Sequence, residues 1–109
     1  METSNSGNIV AQAPIVDGNT MVIRAGSRGA AGNMEIVVTN QSRGFTPQNS
    51  LPALRIGNSE FKLSGYPEDG DTHTLIFSLS RQEFDRLGSG QEVVVTNGST
   101  VYNFGKLTK

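Results

Sequence analysis

Apolar and polar residues alternate one by one along most of this chain, and that period of two predicts strands. Residues 20–25 put Met21, Ile23 and Ala25 on one face and Thr20, Val22 and Arg24 on the other. A strand with that split buries one side and wets the other. Upstream, Ile9, Ala11 and Ala13 alternate with Val10 and Gln12 as far as Pro14, which lacks a ladder donor and so predicts an edge strand or a break. Asp17-Gly18-Asn19 is then a turn. LRIGNSEFKL, residues 54–63, predicts a hairpin about Gly57-Asn58 that sets Ile56 opposite Ser59, Arg55 opposite Glu60 and Leu54 opposite Phe61. Residues 72–79 predict a core strand with Leu75, Phe77 and Leu79 inward.

The period changes once. In SRQEFDRLG, residues 80–88, Ser80 and Glu83 have the spacing of a capping box, Phe84 and Leu87 lie three apart, and Gly88 suits a C-terminal cap. A short helix near residues 81–87 follows, with an apolar pair suited to plugging one end of a sheet structure. Strands at 92–96 and about 100–104, joined by a turn at Asn97-Gly98, complete the chain.

EIVVTNQS (35–42) returns fifty-seven positions later as EVVVTNGS (92–99). Extending the alignment upstream sets the helical SRQEFDRLG against IRAGSRGAA, and downstream sets Pro47 against Phe104, so the likeness stops at one strand and its turn. Similar demands explain it: Ile36 with Val38, and Val93 with Val95, face one core, Thr39 and Thr96 mark matching exits, and each Asn suits a left-handed turn. Both copies end in N-x-S, a glycosylation pattern that chance supplies readily in a chain this rich in Asn and Ser.

Composition narrows the class further. A chain of 109 residues suits one domain, with residues 1–7 a polar tail and residues 8–109 a single β unit. Charged residues make up 17% and the net charge is -1, so neither nucleic acid nor an anionic membrane surface finds a basic patch. No apolar run approaches a membrane span, and membrane insertion is not expected. The absence of cysteine removes disulfides, zinc knuckles and thiol catalysis. The low-charge, hydroxyl-rich composition points to an extracellular, periplasmic or cell-surface location, with the cytoplasm as the alternative.

Chemistry is sparse. GSRGAAGN, residues 26–33, is glycine-rich, but a strand rather than a helix follows it, so it predicts a loop with Arg28 at its tip as a contact candidate and not a phosphate loop. The segment at 40–52 exceeds a minimal hairpin; within it Arg43 and Phe45 are partner-binding candidates. Phe45 has two readings, an exposed anchor or a ring folded back onto the sheet, and the second is favoured. His73 is the sole histidine, and Asp71, two residues before it on the same strand face, is its candidate partner in proton transfer or metal binding. No second His or Cys supports a site there, and no cofactor is expected.

The chain is therefore read as all-β: a two-layer antiparallel sandwich of immunoglobulin-like shape with seven or eight strands and one short helix, or alternatively a small, partly open barrel. The functional expectation is a non-catalytic interaction or structural module meeting a protein or cell-surface partner through loops 26–33 and 40–52. A carbohydrate-binding module is the first alternative, although the absence of Trp leaves a sugar-stacking platform under-equipped. A small enzyme or metal-dependent protein centred on His73 is the second. Strands near 9–16 or at the chain's end are expected to leave edges open to weak strand-paired association; otherwise the chain is a monomer.

Overall fold

The computed structural model describes residues 9–25, 33–42, 44–45, 51–63 and 72–109. Its elements are β1 (Ile9–Val16), β2 (Asn19–Ala25), β3 (Asn33–Asn40), β4 (Ala53–Ile56), β5 (Ser59–Lys62), β6 (Thr74–Ser80), α1 (Arg81–Arg86), β7 (Glu92–Asn97) and β8 (Thr100–Lys106). The strands form two antiparallel sheets, β1-β2-β3-β6 and β5-β4-β7-β8, facing each other across one apolar core. This is the expected sandwich and not a closed barrel.

Alternation decides what goes inside. Met21 and Ile23 on β2, Ile36 and Val38 on β3, and Leu75, Phe77 and Leu79 on β6 meet Leu54, Ile56, Phe61, Val93, Val95, Tyr102 and Phe104 from the second sheet. The two near-identical segments thus become β3 and β7, interior strands of opposite sheets. Their inward pairs share one core, and Thr39 and Thr96 both stay out of it.

The turns follow their sequences. Val16 pairs with Asn19 across Asp17-Gly18, both at positive φ as a type I′ turn requires. The 54–63 hairpin has the predicted register at all three pairs. In the last hairpin Asn97 pairs with Thr100, so the turn residues are Gly98-Ser99, one position later than the sequence suggested.

Helix α1 has the expected capping box, with Glu83 N–H donating to Ser80 Oγ (3.1 Å) and Ser80 N–H to Glu83 Oε1 (2.8 Å). Its other end is a correction. Leu87 caps the helix from an extended backbone, and Gly88 does not take the left-handed form. The side chain of Lys109 crosses over instead, donating to the carbonyls of Phe84 (2.9 Å) and Leu87 (2.7 Å) and lying 4.3 Å above the Phe84 ring. A cation there is favoured by the negative end of the helix dipole, and it joins the Leu87 N–H, which also donates to Phe84 O at 3.0 Å. Buried Leu87 and half-buried Phe84 make the plug.

β1 runs through Pro14 at the edge of the first sheet, with register shifts along the strand. Beyond β8 the chain turns back to meet it. Thr108 and Gln12 exchange backbone hydrogen bonds of 2.7 and 3.0 Å, and Leu107 is buried between Gly90 and Gln91, to which it is bonded on both sides. The two edges expected to be open, β1 and β8, are therefore laced to each other.

Candidate functional site

Register fixes which strand ends share an end of the sandwich. Asn19 pairs with Asn40, Thr39 with Thr74, Ala53 with Thr96, and Asn97 with Thr100, so turn 17–18, residues 41–42, 51–52 and 72–73, and turn 98–99 lie together. Ala25 pairs with Met34 and Asn33 with Ser80, which puts the end of β2, the start of β3 and α1 at the opposite end. The two loops expected to act jointly lie largely outside the described residues; the strand residues that bound them, Ala25 with Asn33 and Asn40 with Ala53, stand at opposite ends of the sandwich. Arg28, Arg43 and Asp71 lie outside the described residues; Phe45 and His73 are both at the first end.

Phe45 is fully buried, in keeping with the favoured of its two readings, a ring folded back onto the sheet, and not with an exposed anchor. Its ring lies 4.8 Å from that of Tyr102, tilted by 53°, and its N–H donates to Thr72 O. The residue before it explains the inward turn. Gly44 sits at φ 74°, where a Cβ would come within 2.8 Å of the Thr72 carbonyl, so only glycine passes at this point. Tyr102 closes the arrangement by donating its hydroxyl to Gly44 O at 2.8 Å.

Asn40 organises the same corner. Its amide Nδ2 donates to Asn19 Oδ1, its Oδ1 accepts from Gly44 N–H at 3.0 Å, and its main-chain oxygen lies 2.9 Å from His73 Nδ1. Asn19 in turn donates to the carbonyl of Asn103 at 2.8 Å, tying the first sheet to the second. Neither Asn40 nor Asn97 takes the left-handed conformation expected of it, and both side chains are buried. The N-x-S motifs therefore present no open amide for a glycan. A signal for this existed. Asn19, Asn40 and Asn97 stand in the same phase as the inward residues of β2, β3 and β7, so their side chains were bound to face the core. Replacing Asn40 by alanine removes the side-chain partner of Gly44 N–H and of Asn19 Oδ1 at a buried position and should cost about 2–3 kcal/mol. Urea denaturation of the Asn40→Ala chain measures it.

Beside this network lies a recess of about 190 Å³ lined by Asp17, Asn19, Asn40, Ser42 and residues 100–103. It offers a carboxylate, amides and hydroxyls on a frame fixed by hydrogen bonds. A second hollow of about 300 Å³ on the outer face of the second sheet has Ala53, Val94, Thr96 and Val101 beside Arg55 and Glu60.

His73 is exposed and held by the main chain of β3, since Asn40 N–H also donates to its carbonyl at 3.0 Å. Among the described residues no group of three or more His, Cys, Asp or Glu is placed to hold a metal ion. No helix among them is long and apolar enough to cross a membrane. Comparison with known protein families, with curated proteins and with solved structures finds no match to this chain.

Proposed function

We propose that this chain is a non-catalytic interaction or structural module of an exported or cell-surface protein, and that it meets its partner at the end where turns 17–18 and 98–99 and residues 41–42 and 51–52 lie. The observation that carries this reading is the Asn19, Asn40, Gly44 and Tyr102 network, which fixes that end from beneath. Binding surfaces benefit from such stiffness because little conformational freedom is lost on contact. The general shape is immunoglobulin-like on this proposal. In support, β3 pairs with β6 in one sheet and β4 with β7 in the other, with both β3 to β4 and β6 to β7 crossing between sheets. Export rests on composition.

A saccharide as the partner is the second reading. The recess favours it, because Asp17 can accept from sugar hydroxyls while Ser42 and Thr100 offer further polar contacts. The test is a binding screen against glycans and extracellular protein fragments, with Ser42→Arg and Thr100→Arg at this end and Gln82→Arg on α1 as the control. A binder lost with the first two and kept with the third supports the proposal. A turnover activity that disappears in His73→Ala would overturn it in favour of an enzyme.

A further inference from the structure

The sandwich has four sheet edges, β1, β6, β5 and β8, and three of them are guarded. β1 carries Pro14, register shifts and the bridge to Thr108. β8 is irregular at Gly105, over which Pro14 and Val16 of β1 pack. β5 is only four residues long and carries Glu60 and Lys62. Short length, charge, proline and irregularity are the devices that keep edges from pairing with other chains. β6, TLIFSLS, has none of them. It is seven residues long, without charge, proline or register shift.

The ladder shows which of its groups face away from β3. Asn40 N–H donates to His73 O, so this facing pair is hydrogen-bonded, and by alternation so are Val38 with Leu75, Ile36 with Phe77 and Met34 with Leu79. The backbone groups of Thr74, Ile76 and Ser78 therefore point outward from the sheet, while Ser80 N–H is taken by Glu83. Ile76, midway along this edge, is 42% exposed.

We infer that β6 is a self-association edge whose occupant is β6 of a second copy, running antiparallel across a twofold axis at Ile76. That register matches Thr74 with Ser78 and Ile76 with its own counterpart, each facing pair exchanging two backbone hydrogen bonds. It places the exposed Ile76 side chains against each other on the outer face, a β-branched pair of the kind that stabilises sheets. Leu75 and Phe77, which alternate with Ile76 on the inner face, are already buried within each copy, so the contact rests on the backbone ladder and the Ile76 pair. The same operation runs the two β5 strands, which pack near β6, in opposite directions. Glu60 and Lys62 on one are then complementary in charge to Lys62 and Glu60 on the other. Among the described residues, no other edge combines free backbone groups with a self-complementary pattern.

The chain has no cysteine, so Ile76→Cys supplies a single thiol at the proposed axis. Facing residues of a hydrogen-bonded pair sit about 5.5 Å apart at Cα, within disulfide reach. Sedimentation of the unmodified chain should show a monomer–dimer equilibrium between micromolar and millimolar protein. Ile76→Cys should cross-link about tenfold faster or more than Val101→Cys, a control at an exposed position on β8. Ser78→Pro removes only an outward N–H and should weaken association roughly a hundredfold while circular dichroism shows a folded chain. Ile76→Lys, which sets two ammonium groups across the axis, should do the same and serves if the proline variant fails to fold. A chain that stays monomeric at every concentration, a dimer that survives Ile76→Lys, or equal cross-linking at positions 76 and 101 would each overturn the inference.

Discussion

Phe45→Ala should destabilise the chain by about 3–5 kcal/mol, the usual cost of emptying a buried phenylalanine site. Small domains have roughly 5–15 kcal/mol in total, so much of the margin goes with one side chain. The reason lies in the position of the ring. Phe45 leaves the end of β3 and turns into the core, where its ring meets Tyr102 on the opposite sheet. Tyr102 itself depends on that entry, because its hydroxyl bonds to Gly44 O one residue earlier. The variant loses apolar burial, leaves a cavity and loosens an inter-sheet tie together. Tyr102→Phe, which removes only the hydroxyl, should cost about 1 kcal/mol. Urea denaturation of the two variants beside the parent checks both values. A loss below about 1 kcal/mol for Phe45→Ala would mean that the ring is a surface feature after all.

That ring also shows where sequence reading stops. Strands and their inward residues were legible because a period of two is a local property: Leu75, Phe77 and Leu79 announce a buried face without any knowledge of neighbours. The 54–63 hairpin was legible down to its register because a two-residue turn leaves the chain no alternative pairing. The capping box was legible for the same reason, since Ser80 and Glu83 lie within one turn of helix. Features that depend on meetings between distant segments were not. Phe45 sits in no periodic pattern, so its inward turn was favoured from residue type alone, while the route it takes, with Gly44 passing beside Thr72, was not visible. Lys109 reaches back to the end of α1, and Thr108 reaches back to Gln12. Neither contact leaves a mark in the residues around it. Asn40 falls between these cases: its phase announced an inward side chain, but its partners, Asn19 and Gly44, are set by the packing of three segments.

The candidate site was less legible than the fold for a related reason. Arg28 and Arg43 were chosen for standing on loops, His73 for being the sole histidine and Phe45 for being aromatic, which are properties of single residues. Recognition depends on what a common frame brings together. The frame here consists of uncharged asparagines, which no single-residue property singles out.

The other large effect should come from deleting residues 107–109. Leu107 alone is a buried leucine, worth about 2–5 kcal/mol on truncation to alanine. Its backbone also bonds to Gly90 and Gln91 at 2.8 Å, fastening the connection between α1 and β7. Thr108 holds β1 to the second sheet through Gln12, and Lys109 caps the helix. Losing them together should cost about 4–7 kcal/mol, since a net hydrogen bond adds about 1 kcal/mol and a cation at a helix end somewhat less. The damage should be directional. β1 and α1 lose their ties, while β2, β3, β4 and β7 keep all of their ladder partners. Native-state hydrogen exchange should therefore show protection falling first at Gln12 and Leu87, with Ile36 and Val95 following only global unfolding. Lys109→Ala, which spares Leu107 and the bridge, should cost about 1 kcal/mol and free only the helix. If the deletion proves no more costly than that single substitution, the tail is an ornament on a sandwich that closes without it.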